Sequence, residues 1–178
     1  MTKAAIILSI FLLGFTTAHA SEVSHSHASK YTGQEKQPIK SLSPDDIAEL
    51  KQGAGWGFAK VAELNGIPGP AHLLEMKDEI PLSELQIEKI TRIYEEMRTK
   101  AIEQGEKFIS LEQELENRFQ DRTITDVTLR SSLGAIADAR MELRYIHLAT
   151  HLQTPEILSA DQINKYNALR GYSTSDLR

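Results

Sequence analysis

The chain has 178 residues, with 25 acidic and 20 basic side chains, 40 % hydrophobic residues, six histidines and no cysteine. The missing cysteine excludes a disulfide scaffold, a thiolate zinc site, an iron–sulfur cluster and a cysteine nucleophile. An acidic balance without a basic block argues against a nucleic-acid partner.

Residues 1–20 read as a signal peptide. Lys3 supplies a positive start, residues 4–15 (AAIILSIFLLGF) form an apolar run about a dozen long, and Ala18-His19-Ala20 is a small-x-small cleavage site before Ser21. The run is shorter than the roughly 20 residues that cross a bilayer as a helix. Export to the periplasm is therefore expected, with an uncleaved inner-membrane signal anchor as the alternative. Cleavage removes one lysine and no acid, so 19 basic groups face 25 acidic ones, a net charge of −6. About 158 residues remain, enough for one domain with one core.

Residues 21–41 are polar, with Val23, Tyr31 and Ile39 as their apolar content, and read as a flexible tail. His25-Ser26-His27 could scavenge metal, but a soluble spacer is the simpler reading. Residues 42–70 form a helical and glycine-rich connecting segment. Leu42-Ser43-Pro44-Asp45-Asp46-Ile47 opens a helix, and the same grammar returns at Leu82-Ser83-Glu84-Leu85-Gln86-Ile87 and Leu158-Ser159-Ala160-Asp161-Gln162-Ile163. In each, Ser and Gln or Asp satisfy orphan amides reciprocally, while the preceding Leu packs on the Ile five residues on. The glycines at 53, 55 and 57 follow no strand and precede no phosphate-binding lysine, so they are not a nucleotide loop. Asn65-Gly66 and Pro68-Gly69-Pro70 are turn punctuation. A short helix from about Ala71 to Glu79 ends at Pro81.

Residues 71–172 read as a helical domain. From Ser83 to about Asp121, Ile90, Tyr94, Met97, Ala101, Phe108, Leu111, Leu115 and Phe119 mark one helical face over roughly 58 Å. Thr123 or Thr125 caps a second long helix, about 126–153, with Leu129, Leu133, Ile136, Leu143 and His147 on its seam. A last short helix runs from Leu158 through Leu169, and residues 173–178 are a tail. No segment reads as a strand. The expected fold is all-α: a long antiparallel hairpin with short helices closing its open end. Ile93, Ile102 and Ile109 lie off the main seam, so a homodimer is expected to cover them.

The Leu-Ser-x-x-Gln boxes at 82–86 and 158–162, behind a signal peptide, resemble the Leu-Thr-x-x-Gln motifs of the Spy/CpxP family. Ser for Thr is harmless to capping. The run from Asn65-Gly66-Ile67-Pro68-Gly69-Pro70 to Tyr166-Asn167-Ala168-Leu169-Arg170-Gly171-Tyr172 looks most like its periplasmic heavy-metal-sensor branch, which includes CnrX-like and ZraP-like proteins. The resemblance covers roughly residues 65–172. It implies a hooked hairpin paired into a cradle-like dimer. It also implies either a metal sensor or resistance protein, or a stress chaperone that shields unfolded clients. A membrane sensor kinase or an anti-sigma factor is the signalling partner it suggests.

His147 and His151 stand four residues apart on one helix and can share an ion. His72 and Met76 form a second pair at the same spacing. With the turn near residue 123, positions 147 and 151 face roughly 99 and 95 on the other long helix, and the short helix returns near residue 90. Glu95 and Glu96 lie at that level. In the nickel/cobalt sensor pattern, His72 and Met76 match the first ligand pair and His147 and His151 the last. The carboxylate position falls at Tyr94, one residue from Glu95. The expected set is therefore His72, Met76, Glu95, His147 and His151, for zinc, copper, nickel or cobalt. The packed alternative is that His147 continues the core seam, Met76 fills core space and His72 sits in a first helical turn. No HExxH, nucleophile elbow or isolated carboxylate pair is present, so no catalysis is expected.

Overall fold

In the computed structural model, which describes residues 29–172, each of the three Ser-led starts is a helix N-terminus with both halves of its capping box formed. The expected signal peptide at residues 1–20, His25, His27 and residues 173–178 lie outside the described residues. The chain divides into two units, Met1–Thr32 and Gly33–Arg178. Of the first, residues 29–32 form a turn closed by the Thr32 N–H donating to the Ser29 carbonyl at 3.1 Å. The second holds α1 (Pro44–Gln52), α2 (Lys60–Glu63), α3 (Pro70–Glu75), α4 (Glu84–Gln120), α5 (Asp126–Gln153) and α6 (Ala160–Leu169). Among the described residues there is no strand, so the fold is all-α. No helix among them is long and apolar enough to cross a membrane.

Thr125, not Thr123, caps α5, because Thr128 returns the bond to the Thr125 N–H at 2.9 Å. The short helix expected to reach Glu79 stops at Glu75, and the turns that follow deliver Ile80 to a fully buried site.

The 37 residues of α4 extend roughly 55 Å. Later residues of α4 meet earlier residues of α5: Met97 and Ala101 pack with Ile146, and Phe108 with Ile136, Ala139 and Leu143. Gln104 Nε2 donates to the Ala139 carbonyl at 3.2 Å along the same seam. A third layer, residues 39–58, lies over this pair through Ile39, Leu42, Leu50 and Phe58. Its closest approach is at Gly105, where a Cβ would stand 2.6 Å from the Leu50 carbonyl oxygen; only glycine lets α1 cross there.

That layer explains three departures from expectation. Ile39 is buried, Lys40 pairs with Glu116, and Ser41 Oγ donates to Glu112 at 2.7 Å, so the segment expected to be a loose tail to 41 is fixed onto α4 from Pro38 on. Ile109 packs into the Phe108 cluster and Ile102 lies against Gly53, so both are partly covered within the chain. The layer reaches only Leu115 and Glu116, and beyond it Phe119 and Leu133 are 52 % and 49 % exposed although they continue the helical seam.

At the other end, the two Leu-Ser-x-x-Gln boxes face each other. Gln86 Nε2 donates to the Ile157 carbonyl at 2.8 Å and to Gln162 Oε1 at 2.9 Å. Gln162 Nε2 returns the pattern to the Pro81 carbonyl at 2.8 Å and Gln86 Oε1 at 3.0 Å. Each side-chain oxygen also accepts its own serine N–H, at 2.9 and 2.8 Å. An amide serves here where a carboxylate cannot, because the position requires donor and acceptor at once. Beneath this clasp, Leu73, Ile80, Ile90, Leu158 and Tyr166 form a separate apolar cluster, which holds α3 and α6 against the start of α4.

Candidate metal centre

The loop Gly66–Gly69, between α2 and α3, is held by four buried polar side chains from the C-terminal part of the chain. Asn167 Nδ2 donates to the Gly66 carbonyl at 3.1 Å, His151 Nδ1 to the Ile67 carbonyl at 2.9 Å and Thr154 Oγ1 to the Pro68 carbonyl at 2.5 Å. The Gly69 N–H donates to Tyr166 Oη at 3.5 Å. Burial pushes the Tyr166 phenol up to about 12, so it stays neutral. Glycine-proline turns expose carbonyls that no helix satisfies, and these side chains satisfy them.

This loop sets the state of His151. A carbonyl only accepts, so Nδ1 carries the proton and Nε2 of the neutral ring keeps its lone pair. The ring edge abuts Gly69: a Cβ there would stand 2.7 Å from His151 Cε1, 3.0 Å from Nε2 and 3.6 Å from Glu63 Oε1. Glycine thus leaves the approach between the imidazole and the carboxylate open.

His72, in the first turn of α3, faces a carboxylate at each ring nitrogen. Its Nδ1 is 2.8 Å from Glu75 Oε2 and its Nε2 is 3.2 Å from Glu63 Oε1. Two ligands bound at 2.0–2.1 Å to a tetrahedral ion stand about 3.3 Å apart, close to the separation of His72 Nε2 from Glu63 Oε1. The other carboxylate oxygen of Glu63 accepts from Arg170 at 3.0 Å and Tyr172 Oη at 3.3 Å, which fixes its orientation. Metal-ligating histidines characteristically donate the second ring N–H to a carbonyl or carboxylate, and both His72 and His151 are so held.

Among the described residues, none of the other expected ligands joins that pair by a hydrogen bond or ion pair. His147 is buried and stacks on Phe58, with ring centroids 6.0 Å apart and planes at 29°. Its Nε2 is buried without a hydrogen-bond partner, and burial, reinforced by His151 one turn on, holds its imidazolium below the ordinary value of 6.5. Met76 packs in the apolar cluster with Leu73 and Ile90, at the level expected for the returning short helix. Glu95 is exposed on α4, and its side chain enters no hydrogen bond or ion pair among the described residues. The carboxylate that meets a histidine is Glu63, at the end of α2. It sits in a segment read from sequence as connection, with no periodicity to single it out. The available signal was the Asn65-Gly66 turn, which reverses the chain and sets the residues on either side of it near each other.

Among the described residues, no group of three or more His, Asp or Glu side chains is closed around one point as a finished metal cage. The arrangement is a pair, His72 and Glu63, with His151 across the α-carbon of Gly69. Comparison with family models, curated proteins and solved structures finds no match to this chain, so the likeness to the Spy/CpxP proteins rests on the motif residues themselves.

Proposed function

We propose that this is an exported, non-catalytic heavy-metal-binding protein of the sensor or resistance kind, which takes a divalent transition ion at the α3–α6 end of the fold. The observation that carries the reading is the shared orientation of His72 and His151. Each has Nδ1 engaged by an acceptor, and each presents Nε2 toward the neighbourhood of Glu63 and Gly69. His72, His151 and Glu63 would hold the ion. His147 is a reserve ligand one turn away, its Nε2 without a partner. An ion held there needs the lone pairs of neutral imidazoles, so its binding releases protons and strengthens as pH rises. Binding would also tie α2 and α3 to α5, which links occupancy to the stability of that end.

The same reading takes α4 and α5 as the hooked hairpin of the Spy/CpxP proteins and the periplasm as the compartment. Pairing of two copies draws on the family likeness. Ile102 and Ile109 are half-buried within the chain, and Ile93 lines a groove between α4 and α5.

Calorimetric titration of the purified protein with zinc, copper, nickel and cobalt tests the proposal. One of these should bind once per chain, and at a free concentration of 100 times its Kd should add about 2.7 kcal/mol of stability. Glu63→Gln with His72→Ala should remove that gain, whereas Glu95→Gln should leave it intact. No heat and no change in Tm with any of the four ions would refute it.

A further inference from the structure

We infer that the outer face of α5 is a docking site for an acidic amphipathic helix of another protein. Met141, Tyr145, Leu148 and Leu152 recur at steps of four, three and four. Met141, Tyr145 and Leu152 are 58 %, 62 % and 70 % exposed, and Leu148 is half-buried. That spacing is the seam of a coiled coil, which keeps facing a partner only if the partner is itself a helix. The stripe runs about 16 Å along α5. It ends at Asp138, one heptad before Tyr145.

Met141, Tyr145 and Leu148 of the stripe form one wall of an open groove of about 740 Å³ whose other wall is Trp56-Gly57-Phe58. The indole is fixed there. Trp56 has a positive φ of 42°, and its Nε1 donates to Asp46 Oδ1 at 2.7 Å. Two hydrogen bonds from Ser43 and this one hold the Asp46 carboxyl below the usual carboxylate range. A non-glycine residue in the left-handed region is strained, and such strain concentrates where a side chain must be aimed.

Charge identifies the occupant. Arg140 lies over the Trp56 and Phe58 rings, 4.8 and 5.7 Å from their centroids, and Arg144 stands exposed one turn on. Neither guanidinium enters an ion pair among the described residues. Glu142 faces the opposite groove, between α4 and α5. Arginine beside tryptophan, tyrosine and methionine is the composition of an interface centre. A second copy meets this face poorly, because an antiparallel two-fold pairing of the stripes brings the two Arg144 side chains within about two turns of each other. Carboxylates flanking an apolar helical seam complete it.

Trp56 is the single tryptophan of the chain, so its emission reports the groove directly. The test titrates the full chain with a three-heptad peptide carrying Leu at the seam positions and Glu beside them, and with the same peptide carrying Lys. The Glu peptide should shift Trp56 emission with a salt-sensitive micromolar Kd, and the Lys peptide should bind at least roughly tenfold more weakly. Arg140→Glu with Arg144→Glu should reverse that order while helicity by circular dichroism is unchanged. Equal responses to the two peptides, or none, would overturn the inference. A dimer of the free chain that dissociates in Tyr145→Asp would also overturn it by assigning the face to a second copy. Equal capture of a denatured apolar polypeptide would overturn it by showing no preference for a charged helix.

Discussion

The two ends of the α4–α5 pair are built on different principles. At the α3–α6 end, polar side chains do the positioning: the Gln86–Gln162 clasp, and the four side chains that hold Gly66–Gly69, are directional and mostly buried. At the α4–α5 turn, a capping box at Thr125 closes a short connection, and Phe119 and Leu133 stand half open to solvent. Apolar burial supplies cohesion at either end, but only hydrogen bonds specify where an imidazole or a carboxylate points. The end that holds His72, His151 and Glu63 is the one specified in that way. Among the described residues the side-chain bonds near the turn end are exposed, and its local opening should cost far less.

Two aromatic deletions probe this contrast most strongly. Tyr166 is fully buried and Phe119 half exposed. Tyr166→Ala should cost about 3–5 kcal/mol in urea unfolding, and Phe119→Ala less than about 1 kcal/mol. Similar losses would mean that the turn end is covered in solution.

Next in size is Gln86→Glu, which keeps the shape of the side chain and removes both donations, to Ile157 and to Gln162. The expected cost is about 2–3 kcal/mol, with hydrogen exchange accelerated in α6 and the start of α4 but not around residue 125. At the turn, Thr125→Ala should cost only about 1 kcal/mol, read from the shift in urea midpoint.

The smallest effect concerns His147. Its folded imidazolium is held below 6.5, so the stability contributed by its neutral ring is complete above that unfolded value and is lost as pH falls below it. His147→Leu removes a buried nitrogen that has no partner and should change stability by less than about 1 kcal/mol at pH 7. The variant should also flatten the loss below about pH 6.5, measured as Tm against pH. A large loss at pH 7 would show that the ring has a partner in solution.

Much of this architecture was legible before the fold. The boundaries of α4 and α5 follow from caps and from a proline-free apolar period, both local properties of the chain. Ile90, Met97, Ala101 and Phe108 are buried as that period predicts. The period misled at Phe119 and Leu133, because it identifies a face but not how far the covering layer reaches. The same limit applies to Ile102 and Ile109, whose cover is α1. Of the candidate ligands, His72 and His151 stand where a shared site can be argued, while Met76 and Glu95 do not. Glu63 carries no sequence signal of its own.

The Ser-led helix starts, the extents of α4 and α5, the all-α class and the turn punctuation at Asn65–Pro70 are determined by the sequence alone, since capping and periodicity act within a few residues. The tertiary structure decided what those elements meet: that the two glutamines clasp each other, that Gly69 lets His151 approach, and that Glu63 rather than Glu95 faces His72. Those contacts join residues far apart in the chain. Their partners are chosen by packing geometry and by the need to satisfy buried carbonyls, which no local pattern encodes.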